Sequence, residues 1–89
     1  MLYAVTDDKY ASIILNSGEK VFVDLSLRDL EARLDAGEFF RPHQSYIVRL
    51  DAVRKVQKAG SLTLVLKDKT EIPVSRGNKD AVMKILGLM

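Results

Sequence analysis

Residues 39–50 read Phe-Phe-Arg-Pro-His-Gln-Ser-Tyr-Ile-Val-Arg-Leu, and residues 72–76 read Ile-Pro-Val-Ser-Arg. In each block a polar segment adjoins an apolar run of residues that favour strands. Pro42 fixes its own φ and has no N–H to give to a sheet, so it predicts a preorganised corner in a loop at 41–45. The two blocks therefore predict two loops at strand edges that carry hydrogen-bonding side chains.

The rest of the chain is predicted to consist mostly of short strands. Apolar residues recur at period two between turn residues such as Gly, Asn and Asp. The predicted strands cover residues 2–5, 10–15, 21–23, 46–50, 54–58, 61–66 and 70–74. Residues 16–19 are predicted as a hairpin turn, and Leu62, Leu64 and Leu66 as a buried face. This pattern predicts a mainly β chain.

A helix of about ten residues is predicted where the apolar period changes from two to 3.6. The residues that share its inner face are Leu27, Leu30 and Leu34. Ser26 is the predicted N-cap, with Asp29 in a capping-box position, and Gly37 is the predicted stop. Charges of both signs on the outer face favour a solvated cover for a sheet over a DNA recognition helix.

A second, shorter helix is predicted at the end of the chain. Asn78 is its predicted cap and Gly87 its terminator. The residues predicted to face inward are Ala81, Val82, Ile85 and Leu86.

Composition predicts one small domain that needs no cofactor. The chain has 89 residues, 47% hydrophobic and 29% charged, which fits one ordinary globular core. No apolar run reaches the roughly 20 residues that span a bilayer, and no signal peptide is visible, so a cytoplasmic protein is expected. The absence of cysteine and the single histidine argue against a disulfide framework and a zinc centre.

The charge is unevenly distributed along the chain. Residues 1–40 hold four basic and eight acidic groups, a net of −4, whereas residues 41–89 hold ten basic and four acidic groups, a net of +6. One basic face that meets a polyanion would explain this asymmetry. A chance division of a solvated surface would explain it equally well.

No catalytic site is predicted. His43, Ser45 and Asp51 supply the residue types of a hydrolase triad, but His43 and Ser45 are two residues apart and no nucleophile-elbow glycines are present. The chain is therefore not expected to be an enzyme, and no small-molecule substrate is expected.

The two opening blocks match the pattern F-x-R-x-H-x-S-Y-I-V followed by I-P-V-S-R, and in this the chain resembles the LytTR family. These are DNA-binding output domains of bacterial response regulators in two-component systems. The resemblance covers residues 1–89 as one domain and implies an elongated, mainly β fold of small stacked antiparallel sheets with one central helix and a short C-terminal helix. Since the resemblance leaves no residues for a receiver domain, either an excised output domain or a free-standing one is expected.

The resemblance implies two main DNA contacts. Arg76 matches the base-contacting arginine of the V-S-R block, and its guanidinium can form a bidentate pair with guanine O6 and N7. The alternative is a surface ion pair with Asp80. Gln44 follows the histidine at a second contact position, where the family more often has Arg, Lys or Asn; glutamine can pair with adenine.

Further contacts are predicted beside Gln44. Arg41, His43 and Ser45 can offer donors to phosphates or base edges. His43 has an equally weighted alternative as a half-buried histidine that bonds the backbone.

The last predicted contacts lie at the two ends of the chain. Lys9 and Tyr10 fall near a third family contact, although Tyr10 is alternatively a core aromatic. Asn78 and Lys79 follow Arg76, and Lys79 is expected to touch phosphate alone.

The partner implied by the resemblance is double-stranded DNA with repeated half-sites, on which two copies pair and bend the duplex. An elongated domain would span the roughly 34 Å between successive major-groove openings. The alternative function is a small β interaction module that binds a protein by strand addition, without DNA. Neither function involves a membrane.

Overall fold

The computed structural model describes residues 2–7, 10–35, 37–58 and 60–87. Within these ranges it contains eight strands, two α-helices and two single 3₁₀ turns. The strands are β1 (Tyr3–Asp7), β2 (Tyr10–Ile14), β3 (Lys20–Val23), β4 (Phe39–His43), β5 (Tyr46–Arg49), β6 (Val53–Gln57), β7 (Thr63–Leu66) and β8 (Glu71–Pro73). The helices are α1 (Leu27–Arg33) and α2 (Lys79–Ile85), and the 3₁₀ turns are Leu50–Ala52 and Arg76–Asn78.

The strands form two antiparallel sheets. The first has five strands in the order β3-β2-β1-β5-β4, and the second has three in the order β6-β7-β8. β1 is the central strand of the first sheet, with Val5 opposite Ser12 on one side and Tyr46 on the other. The mainly β fold predicted from the sequence is confirmed, and seven of the strands begin and end within two residues of the predicted bounds.

The five-stranded sheet is covered on both faces. On one face Ala4, Ala11 and Ile47 pack against Leu27 and Leu30 of α1. On the other face a larger core joins this sheet to the three-stranded sheet and α2; its fully buried members include Val48, Leu64, Leu66, Ile72 and Val82. Burial of each such side chain contributes about 1.5–3 kcal/mol. α1 is therefore a cover for the sheet, as predicted.

The start of α1 is as predicted, but its end is not. Ser26 Oγ accepts a hydrogen bond from the Asp29 amide at 3.1 Å, which confirms the N-cap. The helix ends at Arg33, after seven residues, because Leu34 is already extended at φ −98° and ψ 154°.

Gly37 does not terminate the helix. Its amide donates to Asp35 Oδ1 at 2.7 Å, and the amides of Glu38 and Phe39 donate to the Asp35 carbonyl at 3.0 Å. An aspartate that bonds the backbone two residues on favours a turn over a further helical residue. Asp35, two residues before the predicted stop at Gly37, therefore redirects the chain.

The prediction missed β4. Residues 41–45 were expected to form a loop, but Phe39–His43 pairs with β5, and only Gln44 and Ser45 form the turn. Pro42 is tolerated because β4 is an edge strand whose register shifts between Phe40 and His43.

The inner face of α2 differs from the predicted one. Val82 is buried and Leu86 half-buried, as expected, whereas Ala81 and Ile85 are exposed. Met83 packs against the core instead. In a helix of only two turns, packing against the sheets decides which side faces inward, so the spacing of apolar residues alone did not predict it correctly.

The predicted terminator of α2 is confirmed, and the predicted cap only in its position. Asn78 is the N-cap residue, but its side chain makes no hydrogen bond to the first turn of the helix. Gly87 has φ 73°, the left-handed conformation that glycine adopts readily, and its amide donates to the Lys84 carbonyl at 3.1 Å.

Candidate nucleic-acid interface

The paired ends of β1 and β2 lie beside the β4–β5 turn at one end of the five-stranded sheet. Val5 is paired with Tyr46, and the Thr6 amide donates to the Ser45 carbonyl at 3.0 Å. The end of β1 and the start of β2 therefore lie at the same end of the sheet as the turn between β4 and β5. About two strand spacings, roughly 10 Å, separate the β1–β2 pair from the β4–β5 pair.

The segment that follows β8 is joined to the same end of the sheet. The Ser75 amide donates to the Pro42 carbonyl at 3.0 Å, with Ser75 Oγ 3.5 Å from the same oxygen. Asn78 Nδ2 donates to the Arg41 carbonyl at 3.4 Å. The two blocks that stand out in the sequence thus meet in space, along the outer edge of β4.

Three predicted contact segments consequently form one row. We call it the loop row; it consists of Tyr10, residues 43–45 and residues 75–79. Their order follows the order of the strands, with Tyr10 on β2, the β4–β5 turn in the middle and residues 75–79 beyond the edge strand β4. Lys9, also a predicted contact, lies outside the described residues.

His43 stabilises the middle turn. Its Nδ1 accepts a hydrogen bond from the Ser45 amide at 3.1 Å, and its ring packs edge-on against Tyr46 with centroids 5.7 Å apart. This is the backbone-bonding role given above as the alternative. In the neutral ring Nε2 then carries the proton and remains a donor.

Arg41 also holds the middle turn. Its Nη2 donates to the Gln44 carbonyl at 2.7 Å, and its Nη1 lies 3.5 Å from Glu31 Oε1 on α1. A charge-assisted bond of this length fixes the turn more firmly than the exposed ion pair does. Gln44, whose own side chain is exposed, therefore lies on a turn held by Arg41 and His43.

The outer members of the loop row are exposed. Arg76 and Lys79 are both on the surface, and within the described ranges Arg76 forms no ion pair with Asp80 or another carboxylate. Tyr10 is 51% exposed, so it is not a core aromatic. The loop row therefore presents four exposed side chains to solvent, those of Tyr10, Gln44, Arg76 and Lys79.

The basic and acidic parts of the sequence form different parts of the structure. The three-stranded sheet and α2 come wholly from the basic part of the chain, whereas α1, on the opposite face of the five-stranded sheet, comes from the acidic part. Because Arg28 and Arg33 of α1 balance Asp29 and Glu31, a polyanion that approaches the loop row would be attracted chiefly by the basic side.

The geometry does not support the enzymatic or metal alternatives. His43 Nδ1 is occupied by the Ser45 amide and not by the Ser45 hydroxyl, so the pair is not arranged as a base and a nucleophile. In the part of the chain that the structure describes, no three His, Cys, Asp or Glu side chains are grouped to hold a metal ion. No helix there is long and apolar enough to cross a membrane.

Sequence reasoning missed one part of the site. Ser75 and Asn78 hold the two blocks together through the carbonyls of Pro42 and Arg41. The sequence did single out this region, since both residues lie in or beside the second block. Only the fold shows which carbonyls accept their hydrogen bonds.

Comparison with known proteins identifies relatives of the whole domain. The sequence model of the LytTr DNA-binding domain family matches residues 1–87. The heme-containing CO-sensing transcriptional regulator RcoM 2 of Paraburkholderia xenovorans is 38% identical over 85 residues, which cover 92% of this chain and 32% of that protein. The sensory transduction protein LytT of Oceanobacillus iheyensis is 35% identical over 78 residues, which cover 83% of this chain and 32% of that protein.

A solved structure has the same fold. The LytTr DNA-binding domain of a Bacillus cereus protein superposes with a TM-score of 0.87 at 23% identity, covering 97% of this chain and 80% of that one. The chain spans about a third of the length of the curated relatives that it matches.

Proposed function

Since the chain belongs to the LytTr DNA-binding domain family, we propose that it binds double-stranded DNA sequence-specifically through the loop row, as the output domain of a bacterial transcriptional regulator in the cytoplasm. The observation that carries the proposal is the bond between the Ser75 amide and the Pro42 carbonyl at 3.0 Å. It places Arg76 next to the Gln44 turn and leaves both side chains exposed. No enzymatic step is part of this proposal.

The proposed docking follows from the order of the loop row. The whole domain measures 35 Å along its longest axis, which would let one copy reach two successive major-groove openings, roughly 34 Å apart on one side of a duplex. The outer members, Tyr10 and Arg76, would enter successive major grooves. The middle turn would then face the minor groove between them, where the Gln44 amide can donate to adenine N3 or thymine O2.

The proposed roles separate base contacts from backbone contacts. Arg76 reads guanine O6 and N7 as a bidentate pair, since its guanidinium is free and planar. Lys79 and Lys9 contact phosphates, which supply affinity without sequence preference.

The middle turn is proposed to combine contact with positioning. Ser45 Oγ and His43 Nε2 donate to phosphate oxygens. Arg41 and Asn78 act mainly by positioning, because both Nη atoms of Arg41 and the Nδ2 atom of Asn78 already bond the backbone or α1. Gln44 is then the base-facing residue of this turn.

We further propose that two copies bind repeated half-sites and bend the DNA between them. Whole helical turns between the half-sites would keep both copies on the same side of the duplex. The deformation cost would depend on the sequence of the spacer, which the domains need not touch.

Selection from a random pool of duplexes tests the proposal. An enriched motif repeated at helical spacing is the expected result, together with an affinity that falls steeply as salt rises. A protein-binding module that pairs through a strand edge would enrich no duplex, and its binding would respond little to salt. The strand that could pair in this way is β3, whose Val21 and Phe22 are exposed.

A further inference from the structure

Among the sheet-edge strands in the described residues, β3 is the one with neither a proline nor a bulge. Phe22 is 65% exposed and Val21 40%. The strand contains no proline, and its pairing with β2 runs without a bulge. An exposed, regular and apolar edge is a template for another strand.

The other three sheet edges are protected. β4 contains Pro42 and a register shift, and Ser75 bonds to it. β8 contains Pro73, and β6 carries exposed Arg54 and Lys55 at a bulge. Prolines, bulges and charges are the usual means of preventing edge pairing. β3 has neither a proline nor a bulge, and Lys20 at its start is its only charged residue, so its edge remains open to a partner strand.

Backbone hydrogen-bonding groups on the outer edge of β3 are available to a partner strand. The Leu15 amide donates to the Glu19 carbonyl at 2.8 Å. The backbone N–H and C=O groups of Val21 and Val23, two and four residues later, therefore also point toward β2. The N–H and C=O groups of Lys20 and Phe22 point the other way, toward solvent.

The sequence of this edge is complementary to itself. Residues 20–24 read Lys-Val-Phe-Val-Asp. When two such strands pair antiparallel with Phe22 opposite Phe22, each valine faces a valine and Lys20 faces Asp24 of the other copy. Opposite charges and apolar residues directly across an antiparallel pair stabilise it. Lys20 Nζ and the Phe22 ring are already on one face, 5.7 Å apart.

We propose that β3 is a self-association edge, at which a second copy of this chain pairs antiparallel around Phe22 and joins the two five-stranded sheets into one. The two-fold axis passes through the sheet at Phe22. The loop rows of the two copies then lie at opposite ends of the joined sheet. This pairing is therefore distinct from two copies side by side on neighbouring half-sites, and it does not rest on DNA binding.

Charge exchange tests the pairing by sedimentation velocity of the chain without DNA, over a range of protein concentrations. Lys20→Asp and Asp24→Lys each place like charges opposite at two points, and should weaken the dimer about tenfold or more. The double variant restores opposite charges and should recover the dimer. Lys55→Asp, the same charge change on the edge of β6, should leave dimerisation unchanged.

Two results would overturn the proposal. One is a wild-type chain that stays monomeric up to millimolar concentration. The other is a double variant that is folded by circular dichroism yet associates as weakly as the single variants.

Disulfide trapping gives an independent test of the register. Since the chain has no cysteine, Phe22→Cys introduces one thiol per copy. In the proposed register the two Cα atoms are about 5.5 Å apart, within disulfide range, whereas those of Val21→Cys are about 8 Å apart. Mild oxidation should link Phe22→Cys and not Val21→Cys; the reverse pattern, or equal linking of both, contradicts the register.

Discussion

The amide of Ser75 donates to the carbonyl of Pro42 at 3.0 Å, and this bond joins segments 33 residues apart in the chain. Pro42 has no N–H, so the edge of β4 presents an acceptor here and no competing donor. The bond fixes where the chain leaves β8, and hence where Arg76 emerges beside the Gln44 turn. A backbone contact thereby determines the spacing of two proposed DNA-contacting side chains.

Replacement of Ser75 by proline isolates this bond. Ser75 has φ −67°, which proline adopts without strain, so Ser75→Pro removes chiefly the amide donor. We expect a free energy of unfolding lower by about 1 kcal/mol and weaker discrimination between duplexes. Ser75→Ala keeps the amide and should change the urea midpoint little. Equal losses in both variants would assign the effect to the hydroxyl.

Arg41 and Gln44 are expected to act as one unit. Arg41→Ala removes the bond to the Gln44 carbonyl, so its loss of affinity for the preferred duplex should resemble that of Gln44→Ala, and the double variant should lose little more. Glu31→Gln removes only the exposed ion pair with Arg41 and should cost less than about 1 kcal/mol. Additive losses in the double variant, measured by fluorescence titration, would show that the two side chains act separately.

Lys79 is expected to contact phosphate alone. Lys79→Ala should weaken binding to all duplexes about equally and reduce the salt slope by roughly 1. Titrations at several salt concentrations, with the preferred and a scrambled duplex, measure both quantities. A change in base preference would contradict this role.

Ser26 is expected to affect stability but not recognition. Its hydroxyl caps α1, on the face of the sheet away from β6–β8, so Ser26→Ala should cost about 1 kcal/mol of unfolding free energy. The preferred duplex should be unchanged in the same variant. Ser61→Ala, at an exposed serine, is the control for chemical denaturation. A midpoint equal to wild type would mean that the cap does not stabilise the fold.

Local features were predictable from the sequence, and long-range partners were not. The Ser26 cap and the Gly87 terminator depend on neighbours within four residues, and both are found in the structure. Asn78 was predicted as a local cap, but it donates to a carbonyl 37 residues away. The strand β4 was missed because Pro42 argues against a strand unless the strand is known to lie at an edge.

The site was predictable as a set of segments but not as an arrangement. The two sequence blocks indicated Gln44 and Arg76, yet the row that they form with Tyr10 depends on the pairing of β1 with β5. The engagement of Arg41 and His43 with the backbone likewise follows from the turn that they close. Residue type shows what a side chain can donate; only the fold shows which donors are already occupied.

Titration of wild type, Arg76→Ala and Arg76→Lys with a preferred and a scrambled duplex, at one fixed salt concentration, measures most directly whether Arg76 reads a base. Arg76→Ala should cost about 1–3 kcal/mol on the preferred duplex and much less on the scrambled one, because a base-edge contact contributes discrimination more than general affinity. Arg76→Lys should recover only part of the loss, since lysine lacks the planar fork. Equal losses on both duplexes would reduce Arg76 to a phosphate contact, and no loss on either would contradict DNA reading through the loop row.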